Sequence, residues 1–231
     1  MLVGDEAVPG FVIRDGYARY RGPVDDGAVH RHAAFQIAIA VRGEVVMLDA
    51  SGACHRAAVL VVPPMTRHRM LAMADVRTYF IDPQCAFADR LRECHGITPA
   101  GELRGLREEE ISLAAARGSG ELDPRLVAAM ETTLRAWELA MPELAGRVGL
   151  SPQRLRALAR RQLGMPLTRW RAWARLRQAA EALQDGQSLT EAAVTAGFAD
   201  QAHLTRWMRE MMGLTPSAVL PALRGHPRRA V

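Results

Sequence analysis

The sequence predicts an α+β fold of two domains, with a small β-barrel and following helices at the N-terminus and an all-α region at the C-terminus. Three observations support this prediction. Apolar residues alternate with a period of two within the first 82 residues, and they recur at helical spacing from Asp123 onward. The helical half also contains a repeated helix-turn-helix pattern whose copies are joined by one long helix. The chain has 231 residues, which is long enough for two cores.

The N-terminal strands are predicted from alternation and from turn residues. Apolar side chains alternate along residues 35–41, Arg42-Gly43 indicates a hairpin turn, and residues 44–48 fit the partner strand. Shorter strands are expected at residues 58–62 and 78–81, and both are followed by a turn that contains proline. Several short strands at this spacing are typical of a small sandwich or barrel.

The residue pattern becomes helical after Pro83. Residues 84–95 and 106–116 carry apolar side chains at helical spacing, and the Arg-Gly-Ser-Gly segment at 117–120 is typical of a flexible joint. Asp123 is a favourable N-cap, with Pro124 at the first helical position. We therefore divide the chain into residues 1–82, residues 83–120 (a helical region and linker) and residues 121–231.

Positive charge is concentrated in the helical half. All 30 basic residues are arginine, and residues 144–180 contain nine arginines and no acid. Such a block indicates a polyanionic partner, although a solvated helical face is the alternative. No apolar run approaches the roughly 20 residues that span a bilayer, and no secretory signal is recognisable. Cys54, Cys85 and Cys94 lack C-x-x-C spacing and are expected to be reduced thiols in a cytoplasmic protein.

The repeat has an offset of about 48 residues by direct comparison of the two copies. In each copy a short apolar helix is followed by a glycine turn, Gly149 or Gly197, and then by a longer helix with an apolar stripe. Residues 166–184 form the predicted connecting helix, which would be about 28 Å long. Successive major-groove faces of B-DNA lie about 34 Å apart. A connecting helix of this length could therefore hold the two recognition helices in adjacent turns of the major groove.

The outward faces of the two longer helices carry the expected DNA contacts. Arginine can form two hydrogen bonds with guanine, and glutamine can do so with adenine, while outlying arginines bind phosphate. The predicted base contacts are Gln153, Arg156, Gln201, His203 and Arg206. The predicted phosphate contacts are Arg154, Arg160, Arg161 and Arg209.

Residues 123–224 resemble the AraC family of transcriptional regulators. The resemblance rests on Leu150-Ser151-Pro152-Gln153-Arg154-Leu155, on Arg175-Leu176-Arg177-Gln178-Ala179, on the run from Ala196 to Arg206, and on Gly213-Leu214-Thr215-Pro216. It implies the same base contacts, an effector-binding N-terminal domain and dimerisation through the helices at 84–116. Ala157 and Ala159 depart from the family pattern in the first unit. The second unit is therefore expected to contribute much of the sequence specificity, and the first unit much of the binding to phosphate.

The N-terminal half resembles a cupin barrel. His30-Arg31-His32 and the later His68, preceded by Pro63-Pro64, carry this resemblance. It places an effector pocket at His30, His32, Gln36 and His68, with Gln36 near the position of the usual metal-binding carboxylate. Because that carboxylate is missing, we expect no metal and no other cofactor, although zinc, nickel or copper at the three histidines is the alternative.

These features favour a sequence-specific, DNA-binding transcriptional regulator that senses a small molecule and has no catalytic residues. The expected partners are double-stranded promoter DNA, a small effector, a second copy of the chain and RNA polymerase, with no membrane. One alternative is a metal-dependent cupin enzyme fused to a DNA-binding domain. Another is a sequence-tolerant DNA-binding protein without an effector.

Overall fold

The computed structural model describes residues 10–99, 107–136, 138–212 and 215–224. Gly213 and Leu214, and residues 100–106 of the predicted helical region, lie outside these ranges. The N-terminal part contains short strands followed by two helices. The elements are β1 (Gly10–Arg14), β2 (Tyr17–Val24), β3 (Phe35–Ala40), β4 (Val45–Asp49), β5 (Cys54–Ala57), β6 (Val59–Val62), β7 (His68–Met70), β8 (Met73–Ile81), α1 (Ala86–Leu91), β9 (Thr98–Pro99) and α2 (Glu108–Ala115).

The strands form two antiparallel sheets, a six-stranded one in the order β1-β2-β8-β3-β6-β9 and a three-stranded one in the order β5-β4-β7. Within the described residues, no hydrogen-bonded strand pair joins the two sheets. The α+β class is therefore confirmed, and the predicted small barrel takes the form of two antiparallel sheets that do not close. Alternation along a strand shows that it has two faces, but it does not show which strand edges meet.

Both faces of β3 are buried, which explains its position inside the N-terminal part. Phe35 and Ile37 pack with α1 and α2 in one apolar cluster. The opposite face carries Gln36 and Ala38, and Ala38 packs with Met47 of the smaller sheet. Gln36 is thus a polar residue enclosed between the sheets, with 3% of its surface exposed.

The hairpin between β1 and β2, which was not among the predicted elements, turns at Gly16. Gly16 has a φ of 74°, a conformation that favours glycine. A Cβ atom at Gly16 would lie 2.0 Å from the carbonyl oxygen of Ala115. The hairpin therefore rests directly on the end of α2, and only glycine permits this contact.

The C-terminal part is helical, as predicted. It comprises α3 (Pro124–Arg135), α4 (Met141–Arg147), α5 (Pro152–Leu163), α6 (Leu167–Gln184), α7 (Leu189–Thr195), α8 (Gln201–Met212) and α9 (Pro216–Arg224). The predicted N-caps are present. The Asp123 carboxylate accepts a hydrogen bond from the Arg125 amide at 2.9 Å, and the Ser151 hydroxyl accepts one from the Arg154 amide at 3.2 Å. Within the described residues, no helix combines the length and apolarity needed to cross a membrane.

The segment at 117–120 was predicted to be a flexible joint, and this prediction is wrong. The Ala86 amide donates to the Arg117 carbonyl at 2.8 Å, and the Ser119 amide to the Gln84 carbonyl at 2.8 Å. The Gly120 amide donates to the Asp89 carboxylate at 2.9 Å. Glycine and serine favour a flexible linker only where the backbone has no such partners, and here α1 and the residues before it supply them.

The two halves share one apolar core. Phe11, Ile13 and Phe80 from the sheet belong to the same buried cluster as Trp173 and Leu176 of α6. Helix α9 also contacts β1. Helix α6 is buried on more than one face because it packs against the sheet as well as against its helical neighbours, including Ala172, Ala174, Ala179 and Ala182 among its buried residues.

Candidate nucleic-acid interface and sensor pocket

The first helix-turn-helix unit consists of α4 and α5, with Gly149 (φ 66°) in the turn. Leu155, Leu158, Ala159 and Leu163 face the core. The opposite face presents the five predicted contacts of this unit, all exposed: Gln153, Arg154, Arg156, Arg160 and Arg161. Among the described residues, no acid forms a salt bridge with these four arginines, so their guanidinium groups are available to a phosphate or a base.

The second unit consists of α7 and α8, with Gly197 (φ 73°) in the turn. A capping box between Ser188 and Glu191 starts α7. Gln201, Arg206 and Arg209 are exposed, and they line a shallow surface depression together with Ala202 and Thr205. The structure thus brings three predicted contacts of this unit onto one surface.

His203 has a different environment from the one predicted. Its Nδ1 lies 3.3 Å from the Ala199 amide and its Nε2 lies 2.9 Å from the Trp207 indole N–H. Its ring also meets the Phe198 ring edge-on at 5.4 Å. Both ring nitrogens face donors of the same domain, so we leave His203 out of the base-reading set proposed below.

The arginine block serves the fold as well as the surface. Arg169 forms a salt bridge with Glu210 at 2.5 Å and lies over the Trp207 ring at 5.4 Å, which ties the start of α6 to α8. Arg171 donates to the Leu139 carbonyl at 2.9 Å. Arg147 pairs with Glu143 at 3.0 Å. Charge counting cannot separate arginines that pair within the fold from arginines without such partners, because both look alike in sequence.

The predicted effector-pocket residues converge inside the N-terminal part. Nitrogen atoms of His30, His32 and His68 all lie within 4.8 Å of one another. The Gln36 Oε1 lies 2.8 Å from His32 Nε2 and 2.9 Å from His68 Nε2. His32 and His68 have no exposed surface. Residues from the strand β3, the strand β7 and the loop before β3 therefore form one buried polar cluster.

The histidines of this cluster are held neutral. Burial, together with a smaller effect of the nearby His30, lowers the pKa of His32 to about 4. Burial also lowers the pKa of His30 and of His68. The cluster can therefore offer lone pairs at neutral pH, which is what a metal ion or a hydrogen-bond donor requires.

The cluster adjoins helix α6 of the helical half. The His32 ring lies 5.5 Å from the Phe80 ring and 6.3 Å from the Trp173 ring. The Trp173 indole N–H donates to Asp82 Oδ1 at 3.2 Å, and Asp82 also pairs with Arg177. No sequence pattern predicts this contact, because its partners are far apart in the chain.

Two cavities lie along this interface. A polar one of about 320 Å³ is lined by Asp15, Asp82, Gln84, Trp170 and Arg177, among others. A smaller one of about 60 Å³ lies beside His30 and Gln36 and is lined on its other side by Met212 and Val219 of α8 and α9. Both spaces therefore contact the helical half directly.

Comparison with known proteins identifies the C-terminal half. Residues 144–221 match the family model of the helix-turn-helix domain. These residues therefore form a helix-turn-helix domain. The helix-turn-helix domain that the sequence motifs indicated is thereby confirmed, and the matched residues run from within α4 through α8, with α6 between the two units.

The whole chain is similar in fold to ToxT from Vibrio cholerae. The alignment with a structure of ToxT from strain O395 covers 92% of this chain and 100% of the ToxT chain, at 10% sequence identity and a TM-score of 0.60. The alignment with wild-type ToxT from strain SCE256, solved with an unsaturated fatty acid, covers 94% of this chain and 100% of the ToxT chain, at 11% identity and a TM-score of 0.59. The alignment with an apo ToxT variant from the same strain covers 91% of this chain and 98% of the ToxT chain, at 12% identity and a TM-score of 0.63. No curated protein sequence matches the chain.

Proposed function

We propose that the chain is a sequence-specific transcriptional regulator that binds promoter DNA through its two helix-turn-helix units and senses a small effector with its N-terminal part. The observation that carries this proposal is the exposed arginine and glutamine face on both α5 and α8, on two units that pack against the single helix α6. Residues 1–82 would be the sensor, 83–120 the dimerisation region and 121–231 the DNA-binding domain. Such a regulator would act in the cytoplasm and without catalysis.

Within this proposal the two units have different tasks. Gln201 and Arg206 near the start and middle of α8 are the main base readers, with Gln153 and Arg156 on α5 adding contacts. Arg154, Arg160, Arg161 and Arg209 bind phosphates. Three of these four arginines lie on α5, so the first unit supplies most of the electrostatic attraction to phosphate.

Sensing is supported by the location of the N-terminal cluster. It lies against α6, the helix that joins the two units, and the likeness in fold to ToxT, one of whose structures contains an unsaturated fatty acid, agrees with a ligand-binding N-terminal part. The dimer and the contact with RNA polymerase follow from the family resemblance.

Binding-site selection on random DNA with the full-length chain tests the proposal. A selected sequence should be recovered, and it should bind at least about 10³-fold more tightly than random DNA at the same salt concentration. Equal affinity for selected and random DNA would contradict sequence-specific regulation and favour a sequence-tolerant DNA-binding protein.

The same preparation tests the dimer. Light scattering after size exclusion of the protein bound to a site with two repeated elements should give the mass of the DNA plus twice the chain mass of 25.3 kDa. A single chain per site would contradict the dimer while leaving specific binding intact.

A further inference from the structure

We infer that the polar cavity between the two halves of the chain binds a small organic cation, an amine with an apolar body, and that this amine is an effector of the regulator. The cavity is the one of about 320 Å³ described above, and no residue of the histidine cluster lines it. The regulatory half of the inference rests on the function proposed above, whereas the binding half does not.

The cavity has walls from both halves of the chain. Asp15 and Gly16 belong to the turn between β1 and β2, and Asp82 and Gln84 follow β8. All but one of the other lining residues belong to α6. Its volume is at the lower end of the roughly 300–1,000 Å³ of pockets that hold drug-sized molecules, so a small ligand that fills it contacts the sheet and α6 together.

The charges around the cavity favour a cation. The lining contains three carboxylates, those of Asp15, Asp82 and Glu181, and one basic side chain, that of Arg177, which leaves an excess of negative charge. Although burial opposes it, the attraction of Asp82, Glu181 and Asp15 raises the pKa of Arg177, so all three carboxylates lie near the same guanidinium group. A concave wall of low dielectric constant concentrates such a negative potential and attracts a positively charged ligand.

Arg177 does not offer its charge to an anionic ligand. Its Nε donates to Glu181 Oε1 at 3.2 Å, one terminal nitrogen donates to Asp82, and the other donates to the Arg14 carbonyl. An anion would have to displace one of these acceptors. A cation meets no such obstacle at Asp15, which is exposed and has no salt-bridge partner among the described residues.

The carboxylates around the cavity suit an organic cation better than a metal ion. Among the residues that the structure describes, the histidine cluster is the only group of three histidine, cysteine or acidic side chains close enough together to hold a metal ion. Asp15, Asp82 and Glu181 therefore surround the cavity without converging on one point. Such an arrangement fits an ammonium group that is attached to a larger body.

Two tryptophans and a leucine supply the surface for that body. The Trp173 indole N–H donates to Asp82 Oδ1 at 3.2 Å, and the Trp170 indole N–H donates to Gln84 Oε1 at 3.1 Å. Because both N–H groups are occupied, the rings offer a ligand carbon surface and π-electrons, which attract cations. Leu134 also lines the cavity and is 46% exposed, although it is large and apolar. The ligand is therefore an amine with an aromatic or aliphatic body.

Binding in this cavity would couple the sheet to the helix that joins the two helix-turn-helix units. The ligand would contact Asp15 on the β1–β2 turn and Glu181 on α6, so it would stabilise the present arrangement of α6 against the sheet. Any difference between this arrangement and the DNA-bound one then becomes a change in DNA affinity.

Calorimetric titration of the full-length chain with benzylamine, which is a cation at neutral pH, tests the binding half. Benzyl alcohol and benzoate are the matched neutral and anionic compounds. Benzylamine should bind with a stoichiometry of one per chain and at least about tenfold more tightly than either of them. No binding of benzylamine, equal binding of all three compounds, or tighter binding of benzoate would overturn the site.

Two double variants locate the binding. Asp15→Asn/Glu181→Gln removes the excess negative charge and keeps the buried pair of Asp82 with Arg177, so it should bind benzylamine at least about tenfold more weakly. Glu44→Gln/Glu143→Gln is the control, because it changes the net charge equally at exposed positions outside the cavity, and it should keep the wild-type affinity. Equal affinities of the two double variants would overturn the site.

The single variant Asp15→Asn keeps this test decisive if the double variant does not fold. Asp15 is exposed, so its substitution leaves the core intact. It should weaken benzylamine binding at least about threefold, whereas Glu44→Gln should leave it unchanged. The same affinity in both single variants would contradict a contact between the amine and Asp15.

DNA binding with and without saturating benzylamine tests the regulatory half. The affinity of the wild type for the selected site should change at least about fivefold, and the change should be absent with benzyl alcohol and in Asp15→Asn/Glu181→Gln. Identical specific binding with and without benzylamine would overturn its role as an effector. Failure to bind DNA specifically in either state would instead contradict the proposed function, and calorimetry would still decide the amine site.

Discussion

Arg177 on α6 and Asp82 at the end of β8 form an ion pair between the helical half and the sheet. Both side chains are largely buried, and Asp82 also accepts from the Trp173 indole. Arg177 makes a further contact with the carbonyl of Arg14 in the β1–β2 hairpin. One arginine of the helical half thus binds two separate elements of the N-terminal half.

We expect Asp82→Ala to lower the free energy of unfolding by about 3 kcal/mol, because it removes the most buried carboxylate beside the buried Arg177 and the acceptor of the Trp173 indole. Urea denaturation measures this loss. Glu143→Ala is the control, since it breaks an exposed pair with Arg147 and should cost less than about 1 kcal/mol. Similar losses in both variants would contradict a structural role for the interface pair.

We expect Arg206→Ala to weaken binding to the selected DNA site by about 1–3 kcal/mol, because it removes a base contact from α8. Binding to random DNA should change much less. Fluorescence anisotropy on both DNAs at one salt concentration measures the difference. A loss of the same size on both would show that Arg206 contacts phosphate instead.

We expect Arg160→Ala to weaken binding to selected and random DNA by similar factors, because Arg160 on α5 is assigned to phosphate. The slope of log affinity against log salt should fall by about one. A salt titration of this variant beside Arg206→Ala makes the comparison. The same behaviour in both variants would contradict the division of tasks between the two units.

We expect Gly16→Ala to destabilise the protein more than Gly43→Ala. Both glycines have positive φ angles, 74° and 73°, so each substitution should cost about 1–2 kcal/mol from the backbone alone. The added Cβ meets the Ala115 carbonyl at position 16 but nothing within 4 Å at position 43. Gly16→Ala should therefore cost about 1–3 kcal/mol more, as overpacking does. Thermal unfolding of the pair checks this, and equal melting temperatures would contradict the contact with α2.

We expect thiol reagents at pH 8 to modify Cys54 quickly and Cys85 very slowly in the native protein. Cys54 is exposed, whereas burial raises the pKa of Cys85 from 9.0 to about 11. The thiolate is the reactive form, so two pKa units alone reduce the rate about a hundredfold below that of an ordinary thiol. The raised pKa also affects stability, because the folded state favours the neutral Cys85 thiol. The contribution of Cys85 to the free energy of unfolding is present below pH 9 and is lost as the pH rises toward 11. Peptide mapping after timed alkylation measures both sites, and equal rates would contradict the buried position.

The helical half was predictable in detail because its signals are local. Asp123, Ser151 and Gly164 mark helix ends through caps that involve residues three or fewer positions away. The apolar stripes repeat at helical spacing, so the outward faces of α5 and α8 followed directly. His203 was the exception, because its partner Trp207 lies on the same helix and nothing in the spacing distinguishes a ring that turns inward.

The N-terminal half was predictable only in part. Strand β3 and the turn after it were anticipated, but the β1–β2 hairpin was not, although Asp15-Gly16 is a hairpin signal. The convergence of His30, His32 and His68 was anticipated from the cupin resemblance alone. The pairing of Arg177 with Asp82 joins residues 95 positions apart, and no local pattern encodes such a contact.

The core that runs from Phe11 through Trp173 to the second helix-turn-helix unit has a thermodynamic consequence. Sheet and helices cannot open independently while this cluster is intact, so they behave as one cooperative unit. A ligand held in the sheet at a hundred times its dissociation constant adds about 2.7 kcal/mol to the cost of global unfolding. The slowest-exchanging amides of α6 would gain the same protection as those of β3, although no ligand atom touches them.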